Sequence, residues 1–112
     1  MVSLFIAPSA EQIRATRDLG VPAIELHTGA YARAFADRAG QKEFQKLKLM
    51  CALAQKIGLS VNAGHGLNYD NVLPVARIAG MQELNIGHAI ISRAVFVGLA
   101  QAVKEMKHLV KI

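Results

Sequence analysis

Between residues 22 and 28 the chain reads PAIELHT, and side chains of opposite character alternate along it. Ile24 and Leu26 fall on one side of an extended segment, Glu25 and His27 on the other. The alternation recurs in LSVNAG (59–64), where Leu59, Val61 and Ala63 oppose Ser60 and Asn62. It recurs again in ELNIG (83–87), where Leu84 and Ile86 oppose Glu83 and Asn85. With the apolar, β-prone VSLFI (2–6), these make four predicted strands. Between them the period becomes helical. Ser9 and Gln12 form a capping-box pattern opening AEQIRATRDL, and Gly20 is placed to end that helix. Phe44, Leu47, Cys51 and Ala54 recur at helical spacing in a long segment best defined from Gln41 to Ile57, which Gly58 stops. Asp70 is placed to cap a short helix reaching Ile78, with Pro74 near its first turn. The last predicted helix runs from Ala89 to Val110 on a stripe of Leu99, Val103, Met106 and Val110.

Strands separated by helices pair in parallel, because each return crossing needs a helix. Four such units fit a small open sheet or half of an eight-fold barrel. In a doubly wound sheet both faces are covered and the strands read as nearly continuous apolar runs. Here each alternating strand keeps a polar side, which suits a barrel interior with its polar groups crowded toward the carboxyl ends of the strands. The predicted fold is therefore α/β, half of a (β/α)8 TIM barrel, in one domain over residues 1–112 with no linker-like stretch.

Composition narrows the function more than the fold. The chain is 53% hydrophobic, without low-complexity segments, and its apolar runs are far shorter than the roughly 20 residues a bilayer span needs. Nothing at its start reads as a signal peptide. No membrane association and a cytoplasmic setting are expected. One cysteine, Cys51, excludes an internal disulfide and lies on an apolar helical stripe, as a core thiol would. Met50, Met81 and Met106 read as packing residues. The formal net charge is +5, but the basic residues are scattered, there is no tryptophan, and Tyr31 and Tyr69 stand away from basic runs. No nucleic-acid partner is expected; the charge suits attraction of small anions.

The predicted polar face collects Glu25, His27, Asn62 and Asn85, with His65 and His88 just beyond the strand ends. A carboxylate there needs a hydrogen-bonding or cationic partner, and a structural salt bridge is one reading of Glu25. His65, between two glycines in NAGHGLNYDN, reads either as an ordinary loop histidine or as a proton-transfer group. The histidines lack the H-x-x-x-H or paired-cysteine spacings of zinc sites, so no metal and no cofactor are expected. A helix begins directly after Gly87-His88, so its free N–H groups and positive dipole end face the same region as Gly66. Barrels commonly bind phosphate in the loops after their last two strands.

Taken together, SLFI…EQI, IELHTG.YA, LSVNAGHGLNYDNV and ELNIGHAIISRAVFVGLAQAV closely resemble the pyridoxine 5′-phosphate synthase family over essentially the whole chain. The resemblance is to strands five to eight of that family's (β/α)8 barrel, its C-terminal half. It implies condensation of 1-deoxy-D-xylulose 5-phosphate with 3-amino-2-oxopropyl phosphate, closing the pyridine ring of vitamin B6 without a metal. By motif, His65 resembles the family's proton donor and Glu25 the carboxylate that stabilises charge on intermediates. Gly66, Gly87 and His88 resemble the groups that hold the phosphate of the amino-ketone substrate.

Two departures qualify the resemblance. Ala7 stands where the family carries an acidic residue after its SLFI strand. The N-terminal half, with its two proton acceptors and most of the deoxyxylulose phosphate site, has no counterpart here. Two bare sheet edges would favour self-association, so a homo-oligomer is expected. The competing readings are a synthase subunit that needs a complementary half, a catalytically incompetent half-barrel retaining only phosphate binding, and a chain without function of its own.

Overall fold

A computed structural model describes residues 1–111. Four strands, β1 (Ser3–Ile6), β2 (Ala23–His27), β3 (Ser60–Gly64) and β4 (Met81–Asn85), alternate with helices α1 (Ala10–Asp18), α2 (Gly29–Ala34), α3 (Arg38–Lys56), α4 (Val72–Ala76), α5 (His88–Val97) and α6 (Leu99–Val110). All strand pairs are parallel and the spatial order equals the chain order, β1-β2-β3-β4. Every crossover thus steps one strand in one direction, as in a barrel, and the order never reverses as in a doubly wound sheet. The fold is α/β, four βα units that make half of a (β/α)8 barrel.

Register keeps the two kinds of side chain apart. Ile24 and Leu26 of β2 pair with Val61 and Ala63 of β3, and all four are fully buried. They pack with Ile13 of α1, Leu47 and Cys51 of α3, Val72 and Val75 of α4 and Met106 of α6. Burying each such aliphatic side chain contributes about 1.5–3 kcal/mol, so this one-sided layer carries most of the fold's stability. The opposite face holds Phe5, Glu25, Asn62 and Glu83 in one paired row and His27, Gly64 and Asn85 in the next. Among the described residues no helix covers it, and Phe5 is 52% exposed.

Several boundaries differ from the sequence expectation. Ser9 does stand at the N-cap of α1, but its side chain makes no capping bond; Gln12 Oε1 instead accepts from the Ala7 N–H at 3.0 Å. A separate short helix, α2, precedes α3, which begins three residues before Gln41. The residue at the head of α4 is Asn71, not Asp70, and the helix closes at Ala76. β4 starts at Met81, because a register shift between Val61 and Asn62 on β3 leaves Gln82 as an extra residue opposite them. The long last helix is two helices. Gly98, at φ +86° and ψ +155°, takes a conformation that L side chains rarely adopt, and α5 stops there. The break also turns the stripe of α6: Ala102 and Met106 are buried, while Leu99 and Val103 are 57% and 44% exposed.

Cys51 is the expected core thiol, and burial pushes its pKa up. Met106 is buried, and Met50 and Met81 pack partly buried against the same core. Among the described residues no helix is long and apolar enough to cross a membrane.

Candidate active site

The carboxyl ends of β2, β3 and β4 and the loops after them meet around an open depression of about 390 Å³. Glu25, His65, Gly66, Gly87 and His88 all border it, so the structure brings the five sequence-predicted positions to one place. Phe5 and Asn85, two further residues of the polar sheet face, line it with them.

Glu25 is half-buried and makes no ion pair among the described residues, which rules out the salt-bridge reading. Its partner is neutral: Asn85 Nδ2 donates to Glu25 Oε1 at 2.5 Å. The two residues belong to strands that are not adjacent, so the bond crosses β3, and it crosses at Gly64. A Cβ on Gly64 would lie 2.8 Å from Glu25 Oε2 and 2.9 Å from the Asn85 carbonyl oxygen. The other carboxylate oxygen has no protein donor among the described residues.

His65 is held by its backbone. Its φ is +86°, and no other described non-glycine residue has a positive φ. Such a conformation costs on the order of 1–2 kcal/mol and persists only where the surroundings enforce it. They do so from two directions. Thr28, fully buried, donates its hydroxyl to the His65 carbonyl at 2.7 Å and its N–H to the Gly64 carbonyl at 2.9 Å. Beyond the loop, Asn71 Nδ2 donates to the Gly66 carbonyl, and Asn71 Oδ1 accepts from the Asn68 N–H at 2.7 Å. Tyr31 ties this network to α2, its hydroxyl donating to the Asn71 carbonyl at 2.6 Å. Gly66 follows at φ +80°, where a Cβ would also press to 2.8 Å from that of Ala32.

Gly87 is the N-cap residue of α5, and no side chain caps that end. The first helical carbonyl–amide bond runs from Ile91 to Gly87, and among the described residues no protein acceptor takes up the N–H groups of Gly66 or His88. Nothing lies within 4 Å of where a Gly87 Cβ would be, so the space before this helix end is open. Chemically, the depression offers an exposed imidazole, a carboxylate fixed by an amide, and free main-chain donors at a positive helix end.

Sequence reasoning placed Asn85 on the right face without giving it a task, and left Phe5 out. The same strand parity would have found Phe5, which pairs with Glu25 across β1 and β2. Thr28 gave no signal, because its role depends on a carbonyl 37 residues away.

Together these features define half of an α/β barrel, with its candidate site at the carboxyl ends of the strands. The sequence model of the family described as pyridoxal phosphate biosynthesis protein PdxJ matches residues 1–112, and the chain belongs to that family. It is 50% identical over 111 residues to the pyridoxine 5′-phosphate synthase of Trichlorobacter lovleyi, covering 99% of this chain and 46% of the relative. It is 54% identical over 110 residues to that of Legionella pneumophila strain Corby, covering 98% and 44%. Geotalea daltonii has a further one, 53% identical over 111 residues. The chain thus spans about half the length of the curated relatives it matches.

Proposed function

We propose that this chain carries one wall of a pyridoxine 5′-phosphate synthase site, the wall that holds the phosphate of 3-amino-2-oxopropyl phosphate. The observation that carries the reading is that one depression is shared by His65, Glu25 and an uncapped helix end. The phosphate oxygens accept from the N–H groups of Gly66 and His88, where charge-assisted bonds contribute about 1.5–3 kcal/mol each. The dipole of α5 adds on the order of 0.3–1 kcal/mol. Gly87 leaves the anion room to approach. His65, just outside the strand, donates a proton to an oxygen leaving the substrate skeleton, and Glu25 faces the cationic charge that develops as the amine condenses. Ring closure with 1-deoxy-D-xylulose 5-phosphate requires bases on an opposing wall. Further βα units, which the length of the relatives leaves room for, supply that wall, in a longer chain or through association of copies.

Glycine geometry selects the test. A Gly66→Ala change would strain the loop, whereas Gly87→Ala meets no protein atom and leaves the fold intact. Saturating inorganic phosphate is expected to raise the melting temperature of the parent chain; ligand at 100 times its dissociation constant adds about 2.7 kcal/mol. Gly87→Ala, which puts a methyl group where the anion sits, abolishes most of that shift, and His65→Ala preserves it. A shift that survives Gly87→Ala in full overturns the assignment.

A second reading is a half-barrel that binds phosphate without turnover, since among the described residues no element faces the depression from an opposing wall. Mixing the chain with a polypeptide of the remaining βα units of a relative and assaying ring closure separates the two.

A further inference from the structure

His27 is absent from the chemistry proposed above, yet its ring lies against two residues that line the site, Phe5 and His65. Its imidazole lies between two rings, 4.9 Å from that of Phe5 and 4.6 Å from that of His65 between centroids, with interplanar angles of 39° and 35°. Its Nδ1 accepts a hydrogen bond from the Gly29 N–H at 3.0 Å. A ring nitrogen that accepts carries no proton, so this bond assigns the neutral ring its Nε2–H tautomer. Gly29 makes the seat possible: a Cβ at that position would overlap the His27 ring and stand 2.9 Å from Nδ1.

The neighbours argue the same way. The charged or titratable groups around His27 are Glu25 on its own strand, Arg33 on α2 and His65 on the loop; β1 contributes only the uncharged Phe5. Burial first, then the charges of His65 and Arg33, hold the pKa of His27 below the ordinary 6.5, against an opposing pull from Glu25. Protonating Nδ1 would also break the bond to Gly29. His65, by contrast, is exposed and its backbone is fixed by Thr28. Its ring needs a support that the strained backbone does not give.

We propose that His27 is a positioning residue for His65: a neutral imidazole, seated by the Gly29 N–H, that backs the His65 ring and holds it at the edge of the cavity. The proposal rests on the reading of His65 as proton donor, but its test does not use phosphate or turnover, so the two fail separately.

The test is long-range proton–nitrogen correlation spectroscopy on the labelled full chain, read at the histidine rings. At pH 6.5, where a free imidazole is about half protonated, His27 is expected to show the neutral Nε2–H pattern. An Nδ1–H pattern or a half-protonated ring overturns the proposal, and this measurement needs no variant. His27→Asn keeps an acceptor for the Gly29 N–H and removes the ring; His27→Phe keeps a ring and removes the acceptor. With core amide signals unchanged, His27→Asn is expected to abolish the ring-current displacement of the His65 resonances and to free that ring on the relaxation timescale. His27→Phe retains most of the displacement. His65 resonances that stay in place in His27→Asn, or move equally in both variants, refute the support role.

Discussion

Asn85 donates its side-chain amide to the Glu25 carboxylate across a strand that belongs to neither. The bond exists because position 64, which pairs with Asn85 and lies diagonal to Glu25, has no side chain. The orientation of the one carboxylate in the depression is therefore governed by a residue that contributes no functional group.

Replacing Gly64 by alanine tests this dependence. Glycine to alanine in a strand gains about 0.5–1 kcal/mol when the site is roomy. Here the added methyl would sit 2.9 Å from a backbone oxygen of β4, which cannot swing away as a side chain does. Overpacking of this kind costs about 1–3 kcal/mol. Thermal denaturation should show a net loss, with the Asn85 side-chain amide resonance released from its bonded position. A Gly64→Ala chain as stable as the parent would contradict the geometry.

His65 is expected to be bought at the expense of stability. With φ at +86°, His65→Gly relieves a backbone strain and should stabilise the chain by about 1 kcal/mol in urea denaturation, while removing the proposed proton donor. A destabilised His65→Gly variant would mean that the side chain contributes more packing than its exposure suggests.

Tyr31 links α2 to the loop that carries His65, and burial raises its pKa from 10.0 to about 12. A raised folded value means that the unfolded chain loses the proton first as pH rises. The contribution of Tyr31 is intact below pH 10.0 and is lost between there and about 12. Tyr31→Phe, which leaves the Asn71 carbonyl without its donor, should cost about 1–3 kcal/mol at neutral pH. It should also flatten the alkaline limb of the stability curve. A parent chain whose stability is level through that range would refute the assignment.

At the acid end the sign reverses. His27 has a depressed pKa, chiefly through burial, so below 6.5 the unfolded chain takes up the proton more readily. Its contribution is whole above pH 6.5 and declines as pH falls toward the folded value. Subtracting the stability profile of His27→Phe from that of the parent should expose this decline; a flat difference would count against a neutral, seated imidazole.

Much of this was readable in the chain. Parity in IELH separated Ile24 and Leu26 from Glu25 and His27, and with it the covered face from the open one. Glycines around His65 marked the loop, and Gly87-His88 before a helical stretch marked the uncapped start of α5. What stayed hidden depended on single backbone angles or on distant partners. Gly98 lies in an otherwise helical run, where pattern alone does not distinguish a tolerated glycine from one at φ +86°. Gln82 inserts an extra residue that only pairing with β3 exposes. α2 has six residues, too few to show a period. The Asn85–Glu25 bond spans 60 residues of chain and depends on a vacancy in a third strand.

In β2 the residues that hold the molecule together and those of its open polar face take turns, one after another, on a single short ribbon. Insertion or deletion of one residue between Ala23 and His27 would exchange the two sets, driving a carboxylate and an imidazole under the helices and turning Ile24 and Leu26 outward. Frame errors in this strand therefore damage the packed face and the open face in one stroke, and no repair confined to either side restores the other.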